Sequence, residues 1–191
     1  LYYIPTHHLE DGQGAMDAVL RERASNIRML VLDVDGVLTD GKLYFDHAGN
    51  EMKAFNTRDG MGMKALQRIG IEVAVITGRK SGAVAHRMAQ LGIQHVYQGR
   101  EDKLDAFLNL LEITGLDAGQ VCFAGDDWID LPVLLRVGLA ISVADAEDRV
   151  KQQAHWITRR NGGDGAVREI CNLLLIAQEK DQTILDEILA S

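Results

Sequence analysis

Two aspartates, Asp33 and Asp35, close the apolar run Met29-Leu30-Val31-Leu32, and Gly36 follows them. Side chains on a strand alternate with period two, so carboxylates at i and i+2 fall on one side of a strand end. Burying such a pair without a counter-charge is costly. The segment by itself therefore reads either as a solvated acidic turn or as a site that supplies the pair with a cation.

Polar groups end two later apolar runs in the same way: Thr77-Gly78-Arg79-Lys80, then Gly125-Asp126-Asp127, with Lys103 opening the helical segment between them. Taken singly, Thr77 and the Asp126-Asp127 pair read as helix caps and Lys103 as a solvated surface residue. Ligands of an open parallel sheet bind outside the carboxyl ends of its strands, where these side chains would converge. Together they suit phosphoryl transfer. Hydrolysis of a phosphate monoester demands up to about 10²¹-fold acceleration, whereas one general acid supplies about 10²–10⁴. A carboxylate nucleophile divides the displacement into two steps, a hard cation joins it to the phosphate, and fixed donors stabilise the equatorial oxygens. Asp33, Asp35, Asp126, Thr77 and Lys103 are the groups for those tasks, and an all-oxygen carboxylate set suits Mg²⁺ better than zinc or copper.

The elements that must position these groups alternate along the chain. Strands are expected at 29–33, 73–77, 95–97, 121–124 and 139–143, and helices at 61–68, 82–91, 103–114, 131–137 and 166–178, after a short helix at 16–23. Glycines at 70, 92, 115 and 138 punctuate them, as at helix C-termini. Such a βαβ series predicts an α/β fold, a Rossmann-like doubly wound parallel sheet covered on both faces. One segment breaks the alternation: 43–46, His47-Ala48-Gly49-Asn50, then 51–55 reads as a β-hairpin inserted after the first strand. A lone hairpin is marginal in water, and this one carries Tyr44, Phe45, Met52 and Phe55, so it must pack on its own domain or on a neighbouring subunit. The organisation expected is an extension over 1–28, one domain over 29–180 and a tail over 181–191.

Composition excludes several classes. A net charge of −8 disfavours nucleic acid and anionic membranes as partners, and no apolar stretch approaches the ~18 residues of a membrane span. Six histidines are scattered or adjacent, as in His7-His8, without metal-ligand spacing. Only Cys122 and Cys171 occur, and Cys122 sits in an apolar run as a small buried thiol. Without a basic-then-apolar leader pattern, a soluble cytoplasmic protein is the expectation.

Asp33-Val34-Asp35-Gly36-Val37, Thr77-Gly78-Arg79, Lys103 and Gly125-Asp126-Asp127-Trp128-Ile129-Asp130 resemble, in order, the four motifs of the haloacid dehalogenase superfamily of phosphatases. The resemblance implies that Asp33 attacks phosphorus to form an aspartyl-phosphate, and that Asp35 is first acid and then base. It implies Mg²⁺ held by Asp33, the backbone carbonyl of Asp35 and Asp126, with Asp127 and Asp130 supporting that shell. Thr77 and Lys103 would hold the phosphoryl group.

A finer resemblance rests on the hairpin in place of a cap domain, Asn56-Thr57-Arg58-Asp59-Gly60, Ile76-Thr77-Gly78-Arg79-Lys80, the run from Asp127 to Pro132, and Gly162-Gly163-Asp164-Gly165-Ala166-Val167-Arg168-Glu169. These are similar to the 3-deoxy-D-manno-octulosonate 8-phosphate (KDO 8-phosphate) phosphatase family. That likeness implies an acidic sugar phosphate substrate on the route to lipopolysaccharide, and a homotetramer built through hairpin 43–55 whose subunits complete each other's sites. A substrate with a carboxylate as well as a phosphate calls for extra cations, for which Arg58, Lys64, Arg79 and Arg87 are candidates. Asn56, Thr57, Asp59, Gly60 and Gly78, with Asp35 and Lys103, complete the expected substrate contacts. Asp164 departs from the pattern, which has arginine there. A receiver-type signalling domain shares the acidic Mg²⁺ site, threonine and lysine, but its acidic pair and phosphorylated residue end different strands. A phosphatase of a nine-carbon keto-sugar acid phosphate would carry the same catalytic set.

Overall fold

The computed structural model describes residues 17–190; the His7-His8 pair and Met16, the expected start of the first helix, lie outside them. Six strands form one parallel sheet: β1 (Met29–Leu32), β4 (Glu72–Thr77), β5 (His95–Gln98), β6 (Val121–Gly125), β7 (Leu139–Ser142) and β8 (Trp156–Ile157), in the order β5-β4-β1-β6-β7-β8. The chain winds outward from β1 to β5, returns to the other side of β1, and continues to β8. The direction reverses between β1 and β6, the place where such sheets bind ligands.

Period-two alternation sorts the strand residues onto two faces. Leu30, Leu32, Val73, Val75, Cys122 and Ala124 join one apolar cluster, and Met29, Val31, Ala74, Ile76, Val121 and Phe123 the other. All four residues of β1 are fully buried, as a strand covered on both faces must be. The first cluster is roofed by α1 (Ala18–Ser25), α2 (Thr57–Arg68), α3 (Gly82–Leu91), α7 (Ala166–Ala177) and Ile184 of α8 (Asp181–Leu189). The second is covered by α4 (Lys103–Thr114), α5 (Leu131–Leu134) and Val150 of α6 (Asp148–Lys151).

Two helix boundaries differ from the sequence expectation by three residues or more, and β8 and α8 had no expected counterpart. The second helix starts at Thr57 rather than 61, because the Asn56 carboxamide accepts from Arg58 N at 2.9 Å and caps it. That capped turn overrides the helix-weakening Gly60 and Gly62. The helix expected over 131–137 stops at Leu134. Two-residue β8 is too short for any periodicity to show. Residues 181–189, left without an assigned element, form α8, anchored by buried Ile184.

The inserted hairpin pairs β2 (Tyr44–Phe45) with β3 (Glu51–Met52), Tyr44 opposite Met52. Asp46 organises its turn, accepting from Ala48 N and Asn50 N at 2.8 Å each. Leu43, Tyr44, Phe45 and Met52 stay exposed in the single chain.

Candidate active site

Pairing of Leu32 with both Val75 and Ala124 sets the ends of β1, β4 and β6 level, so Asp33, Thr77 and Asp126 gather at one sheet edge. Lys103, at the first position of α4 and 2% exposed, reaches in from the side. Its Nζ lies 2.7 Å from Asp33 Oδ1 and 2.6 Å from Asp130 Oδ1. Asp130 is wholly buried, and its Oδ2 accepts from the backbone N–H of Asp126 at 2.9 Å and of Asp127 at 3.2 Å. Both of its oxygens are thereby committed to orienting the loop and the lysine. A Cβ at Gly125 would stand 2.6 Å from that Asp130 carboxylate, so glycine is what lets the loop close over it.

After β1 the chain makes one wide turn, closed by Thr39 N–H on Val34 O at 3.0 Å, with Gly36 at φ +94°. A Cβ at Gly36 would come within 2.0 Å of Asp126 Oδ2. Only glycine lets the two loops approach this closely.

Carboxylate oxygens of Asp33, Asp126 and Asp130 come within 4.8 Å of one another. Three carboxylates against one ammonium leave the site short of positive charge. Burial, then the charge of Asp130, pushes Asp33 up to about 7 despite Lys103. Burial, then Asp33 and Asp130, pushes Asp126 up to about 8. Asp126 Oδ1 is buried without a hydrogen-bond partner among the described residues. An enclosed, underneutralised all-oxygen set with an orphaned acceptor fits a hard divalent cation.

Thr77 is 2% exposed, and its Oγ1 accepts from Arg79 N at 3.3 Å. Asp35 carries a contact that the sequence did not announce: Lys53, from the residue after β3, pairs with Asp35 Oδ1. Glu51 Oε1 lies 3.4 Å from the same ammonium, and Glu51 Oε2 accepts from Arg79 Nη2 at 2.7 Å. Period two places Glu51 and Lys53 on one side of their strand, a signal that the insertion's position beside the motif could have sharpened.

The expected substrate contacts are distributed less evenly. Thr57, Arg58 and Lys64 are exposed on the outer side of α2, and Asn56 Nδ2 donates to Gly163 O at 3.3 Å besides capping the helix. Arg87 runs against the start of α2, where a Cβ at Gly60 would meet its Nη2 at 2.4 Å, and does not share the neighbours of Arg79. Gly78 leaves room beside Ile129. Asp127 is exposed and caps Trp128 N at 2.7 Å. Exposed Asp164 lies close enough to raise Asp59.

Asp59 has a structural role that the sequence did not announce. It is 1% exposed and its Oδ1 accepts from Arg168 N at 2.7 Å, tying α2 to the first turn of α7, while its Oδ2 has no hydrogen-bond partner among the described residues. Burial pushes it up to about 6, against the hydrogen bond from Arg168. A buried carboxyl raised from 3.8 binds more protons folded than unfolded, so stability falls as pH rises from about 4 to 6. Asp59→Asn keeps the acceptor and removes that charge. Relative to wild type it gains about 1–2 kcal/mol between pH 4 and pH 7 by denaturant unfolding, and parallel pH profiles would contradict the assignment.

Comparison with known proteins bears on most of the chain. Residues 95–170 match the model for haloacid dehalogenase-like hydrolases. The 3-deoxy-D-manno-octulosonate 8-phosphate phosphatase KdsC of Escherichia coli strain B is 51% identical over 167 residues, 87% of this chain and 89% of that one. The chain belongs to the KdsC family of haloacid dehalogenase-like hydrolases. Two solved KdsC-family structures agree in fold. The phosphatase of Moraxella catarrhalis, in complex with magnesium, phosphate and KDO, has a TM-score of 0.88 at 37% identity, covering 91% of this chain and 99% of that one. The cobalt-bound enzyme of Haemophilus influenzae has a TM-score of 0.82 at 40% identity, covering 84% and 94%. Membership in the KdsC family makes this chain a phosphoric monoester hydrolase.

Proposed function

We propose that this chain hydrolyses 3-deoxy-D-manno-octulosonate 8-phosphate to KDO and inorganic phosphate with Mg²⁺, in the cytoplasm, as a step toward lipopolysaccharide precursors. The observation that carries this reading is the buried Lys103 bridging Asp33 and Asp130 with Asp126 alongside, at the sheet's switch point. The magnesium, phosphate and KDO of the Moraxella relative support the cofactor and the sugar.

In this reading the Asp33 carboxylate attacks phosphorus, and Asp35 gives a proton to the departing sugar oxygen. Thr77 and Lys103 hold the phosphoryl oxygens, and Asp130 holds Lys103. Water, deprotonated by Asp35, then releases phosphate from Asp33. Asp33, the Asp35 carbonyl and Asp126 would hold Mg²⁺, which when bound offsets the carboxylate charge and polarises the phosphoryl group. Asp127 and Asp130 support that shell. Around the sugar acid we place Asn56, Thr57, Arg58, Gly60, Lys64, Gly78, Arg79 and Arg87; the cations among them answer its carboxylate.

A panel of sugar-acid phosphates with Mg²⁺ tests the substrate. The eight-carbon acid phosphate is expected to release phosphate fastest, and chelation to stop it. Preference for a nine-carbon acid phosphate would move the assignment to that sugar, and no turnover on any ester would favour a receiver-like role.

We further propose that hairpins 43–55 assemble the chain into a homotetramer, burying Tyr44, Phe45 and Met52. Replacing Tyr44 and Phe45 together by Ser is expected to shift sedimentation from tetramer to monomer. A wild-type monomer would refute the assembly.

A further inference from the structure

Lys53 lies outside every sequence motif, yet its side chain is only 2% exposed. A lysine gives up water this completely only when it is paired. Its ammonium sits between Asp35 Oδ1 and Glu51 Oε1, and Glu51 in turn takes Arg79. The series Asp35, Lys53, Glu51, Arg79 thus ties the inserted hairpin to the loops after β1 and β4. The Asp35 carboxyl stands in an irregular turn, and Lys53 fixes one of its oxygens.

We propose that Lys53 is a positioning residue for Asp35, holding that carboxyl toward the ester oxygen so that the hairpin forms part of the machinery of the first chemical step. The proposal rests on the phosphatase reading above. In that step the Asp33 oxygen bonds to phosphorus and the bond from phosphorus to the ester oxygen breaks. The bonding pair stays on the departing oxygen, which takes the proton of Asp35. A general acid works only within about 2.6–3.2 Å of the atom it protonates, so a freely rotating carboxyl forfeits much of its effect. Dependence on Lys53 must therefore follow the basicity of the leaving group. A sugar alkoxide needs the proton as it departs, whereas p-nitrophenolate leaves without one.

The test uses the magnesium-loaded full chain and two esters, KDO 8-phosphate and p-nitrophenyl phosphate. Lys53→Met is expected to lower kcat/KM for the sugar phosphate about 50-fold, through kcat, and for the aryl phosphate less than about threefold. Lys53→Arg, which keeps a cation beside Asp35, is expected to recover part of the loss and to shift the sugar-to-aryl ratio in the same direction. Where Met disturbs folding or assembly, as seen by circular dichroism and sedimentation, that ratio in the Arg variant decides. Equal losses on both esters overturn the proposal, as does a rise in KM with kcat retained, which would make Lys53 a substrate contact. A wild-type chain that cleaves neither ester would instead sink the phosphatase reading itself.

Discussion

Replacing Asp33 by Asn is expected to abolish multiple turnover, by about 10⁴-fold or more in kcat, and to leave a chain that folds. An amide cannot accept the phosphoryl group, and no neighbour can take over: Asp126, although its carboxylate lies alongside, is assigned to the metal, and Asp130 has both oxygens occupied. Stability points the other way. Asp33 is raised to about 7 chiefly by burial, so its ionised form costs the metal-free fold stability as pH climbs from about 4 past 7. The Asn variant in metal-free buffer at pH 8 is therefore expected to melt no lower than wild type. Retained turnover would end the nucleophile assignment, and a collapse of the melting temperature would show that Asp33 is needed for folding.

Lys103→Met is expected to damage both activity and stability. Burial by itself would lower the lysine, but the charges of Asp33 and Asp130 outweigh it and raise it, so the ammonium is fully charged where it sits. Removing one partner of a buried ion set leaves uncompensated carboxylates and costs about 3–5 kcal/mol, or roughly 10 °C in melting temperature for a domain of this size. In the proposed mechanism, loss of this fixed donor to the phosphoryl oxygens is expected to cost a further factor of about 10²–10³ in kcat. The instability is largest above about pH 8, where Asp33 and Asp126 are ionised, and shrinks as the pH falls below 7 and they take up protons. Thermal melts across that range check the sign, and a pH-independent loss would contradict it.

The gathering of the central residues was legible because it is local. Asp33, Thr77, Lys103 and Asp126 each sit at the end or start of a regular element, where apolar periodicity stops and a polar residue must face the sheet edge. Parallel pairing then brings them together without further information. Asp130 was placed beside Asp126 by the motif, and its hold on Lys103 came only with the folded loop. The folded contacts of Lys53 and Asp59 were not legible, for opposite reasons. Lys53 belongs to a hairpin whose docking is set by long-range contacts, and its i+2 relation to Glu51 does not reveal which loop they meet. Asp59 follows a helix cap in a motif rich in polar residues, yet one helical turn is enough to rotate it onto α7. Short elements such as β8 depend on the neighbouring strand rather than on their own sequence.

The account stands most directly on which atom receives the phosphoryl group. Quenching the magnesium-loaded chain during turnover of KDO 8-phosphate, reducing it with borohydride and mapping the peptides would convert a phosphorylated aspartate to homoserine. The account predicts homoserine at position 33 and nowhere else. Homoserine at another aspartate, or none while phosphate is released, would contradict it.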